Sequence, residues 1–155
     1  MKKFLFDCGT RDHTASLGIF VLRFGTGLLM MLGHGIPKIQ NFVAAKDGFP
    51  IPSFYPLSTM SNPVSLMATI GVEVGCSALM LLGLATRPAA FLFAFTMIVA
   101  AFDVHSSGPW FMGQGDGPKE PALLYLIPAV AIILAGAGKY SLDASIAKEG
   151  RRRRR

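Results

Sequence analysis

Residues 15–36 read ASLGIFVLRFGTGLLMMLGHGI, and Arg23 and His34 are the only titratable side chains in that run. A helix of about 20 apolar residues crosses the hydrocarbon core of a bilayer, roughly 30 Å thick, so this stretch predicts a transmembrane helix. A lone strand cannot satisfy its own backbone in lipid, and the run lacks the apolar–polar alternation of a barrel strand. Lys2, Lys3 and Arg11 precede it, which imitates the start of a signal peptide. The apolar part is too long for that, and no small-residue cleavage site closes it, so the segment is expected to be retained.

Further along the chain, residues 64–83, 88–104 and 121–137 have the same character. The expected fold is therefore all-α: an integral membrane four-helix bundle in a single domain over residues 1–155. Ala85-Thr86-Arg87-Pro88 makes a tight turn between the second and third spans, with Pro88 suited to a first helical turn. Residues 37–62 carry Gly48-Phe49-Pro50-Ile51-Pro52 and Phe54-Tyr55-Pro56, which suggests a long loop lying in the membrane interface. Residues 106–119 are glycine-rich and hold the one tryptophan, Trp110, again an interfacial anchor.

Composition agrees. Of the 155 residues, 52% are hydrophobic and 15% charged, against roughly 25% charged in a soluble domain, and mean hydropathy is +0.48. A chain this short cannot hide that much apolar surface in its own core. The formal charge of +6 includes five arginines at 151–155. A basic run just beyond a span is expected to meet anionic lipid headgroups rather than nucleic acid. With an even number of spans, both termini share a side with Arg87. That side collects Lys2, Lys3, Arg11, Lys139, Lys148 and the terminal arginines, while the other has Lys38, Lys46 and Lys119. The excess predicts both ends inside, with residues 139–155 as a basic cytoplasmic tail.

Several polar residues lie where hydrocarbon should be. Arg23 is about eight residues into the first span and Glu73 about nine into the second, each near mid-bilayer at ~1.5 Å per residue. Opposite charges at equal depth predict an intramembrane Arg23–Glu73 ion pair, which either only fixes the helix faces or takes part in substrate binding or proton movement. His34 follows Arg23 on one face about 16 Å along the axis, and Lys38 comes one turn later. Asp103, His105 and Glu120 gather at the same outer level, and Tyr125 lies a little deeper. Arg23, His34, Lys38, Glu73, His105, Glu120 and Tyr125 are thus the candidate lining of a polar substrate or quinone cavity.

His34, His105, Asp103 and Glu120 have metal-ligating chemistry but come from three segments without ligand spacing, so no metal is expected. Cys8 and Cys76 lack redox or metal spacing, and no structural disulfide is predicted. Cys76, three residues from Glu73, reads as a packing residue, as do the eight methionines. Gly71 and Gly75 form a small-xxx-small face open to close helix approach.

Leu22-Arg23 with Gly27, His34-Gly35-Ile36-Pro37-Lys38 with Phe42, and Gly48-Phe49-Pro50 resemble the opening of DoxX-like membrane proteins. The likeness continues through Glu73, Leu82-Gly83-Leu84-Ala85-Thr86-Arg87, His105 and Glu120 to Gly136-Ala137-Gly138-Lys139-Tyr140-Ser141-Leu142-Asp143, covering about residues 17–143. The closing motif usually has proline where Ala137 stands. The resemblance implies a four-helix fold in the cytoplasmic (inner) membrane of a bacterium or archaeon. It also implies a place in quinone-linked redox systems of sulfur or thiol metabolism. Arg23, His34, Lys38, Glu73, Arg87, His105 and Glu120 match the family's polar pattern.

No flavin, nicotinamide or haem-attachment motif is present, so no cofactor is encoded and quinone is the expected ligand, with electrons coming from a partner protein. A non-catalytic accessory subunit of a larger membrane complex is the alternative reading, and a small transporter or lipid-binding protein is a third. Catalytic residues are not assigned by the sequence.

Overall fold

The computed structural model describes residues 9–10 and 12–152, and among them there is no strand. Lys2, Lys3, Cys8, Arg11 and Arg153–Arg155 lie outside the described residues, and with them the readings placed on those positions.

Helix α1 spans His13–Gln40, α2 is the short Phe42–Ala45, and α3 spans Asn62–Leu82. Then come α4 at Thr86–Val104, α5 at Glu120–Ala135 and α6 at Leu142–Arg152. Three of these, α1, α3 and α4, are long and apolar enough to cross a membrane, while α5 is a shorter apolar helix. Helix α1 packs on α3 and α5, and α4 packs on α5 and α3, which closes a ring around one core. Phe93, Met80, Met30, Ala90, Ala129 and Ile132 fill that core. Outside it, Val21, Leu29, Phe91, Ile127 and Leu134 are all more than 60% exposed. Large apolar side chains pointing outward on every long helix are solvated by lipid, not water.

The sequence places the first helix end near Ile36, ahead of Pro37. Helix α1 instead runs on to Gln40, because residues 31–35 form a π-turn in which the Ile36 N–H reaches back to the Met31 carbonyl. One extra residue per turn shifts the hydrogen-bond register just before the proline, which cannot donate and would crowd the preceding turn of a regular helix. Two more π-turns occupy Gly71–Cys76 in α3 and Ala100–Val104 in α4.

The α3–α4 turn is built from two left-handed residues, Gly83 (φ 68°) and Ala85 (φ 46°). Gly83 N–H donates to the Met80 carbonyl and Leu84 N–H to Leu79, the Schellman closure of a helix C-terminus. Alanine in this conformation costs about 1–2 kcal/mol. Asp143 offsets that cost: its carboxylate accepts from Ala85 N–H at 2.9 Å and Thr86 N–H at 3.0 Å, while its own N–H donates to Gly83. A residue from the far end of the chain thus caps the N-terminus of α4, which has no local side-chain cap.

Arg23 serves the same end. It is fully buried, and its guanidinium donates to the carbonyls of Met80, Leu81 (3.0 Å) and Tyr140 (2.8 Å). The predicted Arg23–Glu73 pair is therefore not formed. Glu73 lies seven residues from Met80 on α3, roughly 10 Å along the axis. The carbonyls at the C-terminus of α3 carry the negative end of its dipole, and the turn's own N–H groups engage Leu79 and Met80 but leave Leu81 without one. They lie within reach of the guanidinium, and Glu73 does not.

Two tests follow from this locked end. Asp143→Ala removes two charge-assisted bonds at about 1.5–3 kcal/mol each before relaxation, and should cost about 2–4 kcal/mol in detergent unfolding, with Asp143→Asn intermediate. Gly83→Ala should lose at least about 1–2 kcal/mol, since its methyl would come within 2.5 Å of Ser141 Cβ and 2.6 Å of Arg23 Nη1. Gly25→Ala, whose methyl meets nothing within 4 Å, should leave the melting temperature unchanged. Equal melting of the two glycine variants would contradict this account of the turn.

Candidate functional site

At the other end of the bundle a cavity of about 470 Å³ lies between α1, α3, α4 and α5. That volume is in the range of small-molecule sites. Its walls include Met30, Met97, Val99, Val104 and Ala122, with polar side chains at a few points.

The π-turns supply much of that polarity. His34 sits in the turn of α1 and Glu73 in that of α3, while Asp103 is in the turn of α4, two residues before His105. A π-turn swings its side chains off the regular helical stripe, and such turns recur at functional sites. Gly35 allows the two helices to meet here: a methyl on it would come within 2.6 Å of Val74 Cγ2 and 3.3 Å of the Glu73 backbone.

Lys38 Nζ donates to both carboxylate oxygens of Glu73 at 2.7 Å. Glu73 is thus paired one end away from Arg23, with the lysine that follows His34 by one turn. The carboxylate is 6% exposed and the lysine 26%, so this is a half-buried pair that links α1 to α3 at the edge of the cavity.

The His34 and Tyr125 rings meet edge to face at 5.5 Å, and Tyr125 meets Phe93 at 6.2 Å. His105 closes α4 and lies beside Gly117, whose positive φ and missing side chain leave the imidazole its place: a methyl there would approach Nδ1 to 3.1 Å. The segment between α2 and α3 roofs the cavity with Phe49 and Pro50. It is fastened by Asn62 Nδ2 donating to Phe49 O and Ser65 Oγ to Pro50 O, both at 2.7 Å. Asp103 accepts from Ser53 N–H at 2.8 Å and also from the Ser53 hydroxyl.

Most of the lining polarity is already engaged. Ser65, Thr69 and Thr96 give their hydroxyls to the carbonyls of Pro50, Ser65 and Leu92, and Lys38 and Glu73 hold each other. His34, His105 and Tyr125 remain, with no side-chain hydrogen bond to any of the described residues, and all three line the cavity. Imidazole and phenol each donate or accept, so this set can bind a carbonyl or a hydroxyl oxygen without rearrangement.

Of the residues singled out in the sequence, His34, Lys38, Glu73, His105 and Tyr125 come together around this space. Arg23 belongs to the locked end. Glu120 does not line the cavity; its carboxylate accepts from Met112 N–H at 2.8 Å and pins the loop before α5. Arg87 is buried at the α3–α4 turn and reaches the Leu134 carbonyl. Sequence reasoning missed the roof and its Asp103 latch. It also missed the Lys38–Glu73 pair, although Lys38 one turn beyond His34 was a signal for it. No group of three or more His, Cys, Asp or Glu side chains suited to a metal ion occurs among the described residues.

Comparison with known proteins gives a consistent result. An uncharacterized protein of Haemophilus influenzae is 32% identical over 122 residues, covering 77% of this chain and 84% of that protein. A second uncharacterized protein of the same organism is 27% identical over 145 residues, 92% of this chain and 91% of its own length. A Bacillus subtilis protein named "Putative oxidoreductase CatD" is 30% identical over 140 residues, 88% of this chain and 92% of its own. No solved structure matches the chain at a significant level. The DoxX family model matches residues 18–106, more than half of the sequence, and this chain belongs to the DoxX family of membrane proteins.

Proposed function

We propose that the protein is the membrane-embedded subunit of a redox system and that its cavity binds a quinone. The carrying observation is the set of uncommitted groups: two imidazoles and a phenol facing a largely apolar space in which the other lining hydrogen-bonding side chains are engaged. A molecule that alternates between carbonyl and hydroxyl forms needs partners that both accept and donate, and these three do. Apolar walls suit a ring and an isoprenoid tail, and an imidazole can pass a proton to or from a ring oxygen. The relative named as an oxidoreductase supports the same reading. Electrons enter or leave through a partner protein in the same membrane.

In this reading the chain crosses the cytoplasmic (inner) membrane of a bacterium or archaeon four times, with α5 as the fourth span and both ends inside. The 16 residues of α5 reach about 24 Å, near the lower limit for a span. The concentration of basic residues at the end with Arg87 and Lys139 orients the bundle. The roof over the cavity then faces outward as the long interfacial loop.

One observation favours the accessory-subunit reading as well. Gly71 and Gly75 are exposed on α3, and a methyl on either would meet nothing within 4 Å, so this face is open to another helix. Normal activity of a co-purified partner after both Glu73→Gln and His34→Ala would select that reading over quinone binding.

Titration of the purified protein with a short-tailed benzoquinone tests the principal proposal. His34→Ala and His105→Ala should each weaken binding roughly fivefold, the value of one hydrogen bond at about 1 kcal/mol. Glu120→Gln, outside the lining, should bind as the parent does. Absence of binding, or equal affinity in all four proteins, would sink it. Glu73→Gln leaves Lys38 without its counter-charge and should cost about 1–3 kcal/mol in thermal unfolding, less than for a fully buried pair because the lysine is a quarter exposed.

A further inference from the structure

Helix α6 is only partly accommodated by the rest of the chain. Asp143 and Ala144 are buried, and the bonds of Asp143 to the α3–α4 turn fix where the helix leaves the bundle. On another side Leu142 and Ile146, one helical turn apart, are 44% and 54% exposed, and Tyr140 just ahead of them is 47% exposed. Residues at i and i+4 share a face, so these two make a continuous apolar stripe without an internal partner. Lys148 is exposed, and the run of five arginines at 151–155 follows directly.

The anchor at Asp143 holds this stripe level with the end of the bundle, where the lipid-facing surfaces of α3 and α4 stop. The end of a membrane-crossing helix is where acyl chains give way to headgroups. A helix with an apolar stripe and an adjacent cationic run matches that boundary at both points: hydrocarbon covers the stripe and lipid phosphates meet the charge. An acidic protein or a nucleic acid would answer the arginines and leave Leu142 and Ile146 uncovered.

We propose that α6 is an interfacial helix: Leu142 and Ile146 insert into the leaflet at the Arg87 end of the bundle, and Arg151–Arg155 bind anionic phospholipid headgroups there. The two contacts act together, since a short apolar stripe or a short basic run alone gives marginal membrane association. This surface lies at the opposite end of the bundle from the cavity and is independent of what the cavity binds.

The test uses full-length protein carrying Cys8→Ser and Ile146→Cys, labelled at position 146 with an environment-sensitive fluorophore. Cys76 is buried and stays in place. The protein is placed in nanodiscs of phosphatidylcholine alone or mixed with phosphatidylglycerol. The expected result is blue-shifted emission and quenching by doxyl-labelled lipid in the anionic discs. Both should be lost on deletion of residues 151–155 or in phosphatidylcholine alone, with an unchanged melting temperature. Emission that is the same in the two lipids, or insensitive to the deletion, overturns the proposal. So does a blue shift that appears only on adding nucleic acid or an acidic protein.

Discussion

A charge held among apolar helices must find its partners within the chain, because lipid offers none. Arg23 meets this requirement without an acid. The last turn of α3 leaves the Leu81 carbonyl without a backbone donor and the Met80 carbonyl with a lone pair to spare beyond its bond from Gly83, and the guanidinium takes both together with the carbonyl of Tyr140. A costly side chain and an unsatisfied helix end thus solve each other's problem. The contact also joins three distant parts of the sequence: α1, the end of α3 and the segment that leads into α6. Asp143 completes the junction by capping α4 across the same turn.

With one end secured by these bonds, the other end can carry features that weaken a helix. A π-turn has poorer hydrogen-bond geometry than the α-helix around it, and α1, α3 and α4 each contain one. Together they turn His34, Glu73 and the Asp103–His105 segment toward one space. Asp103 spends its charge on Ser53 and so couples the last turn of α4 to the roof, while His105, two residues on, faces the cavity. A single local distortion therefore places both a candidate ligand contact and the fastening of the covering loop.

The apolar helices were legible because hydrocarbon thickness imposes a length and a polarity that few residues can disguise, and three of them are long enough to cross a bilayer. The extents of α3, α4 and α5 agree with the expected segments to within about two residues, which is the usual looseness of helix ends. The end of α1 was hidden because Pro37 reads as a stop unless the preceding π-turn is known, and π-turns leave no composition signal. The partner of Glu73 was hidden for a related reason. Depth counted in residues treats a side chain as a point at its Cα, whereas arginine and lysine extend several ångströms along the helix and choose whichever acceptor lies within reach. Asp143 looked like the last letter of a closing motif. Its role depends on the left-handed turn at Gly83–Ala85, which only the three-dimensional path reveals.

The separation of the two polar clusters bears on how the buried residues should be interpreted. Arg23 and Glu73 are both charged and both buried, and sequence alone gives them equal standing as site residues. Their partners differ in kind. Arg23 is held by backbone carbonyls at the end of α3 and at Tyr140, of which Leu81 has no helical donor, so its place is explained by the fold without any ligand. Glu73 is held by a lysine whose side chain remains a quarter exposed, and both border the uncommitted imidazoles and phenol. Ion pairs of this kind are often no more stable than two packed apolar residues of similar volume, so stability alone does not account for this one. It stands at the cavity edge rather than in the core beside Phe93 and Met80, the position from which the proposed quinone site would draw on its charge.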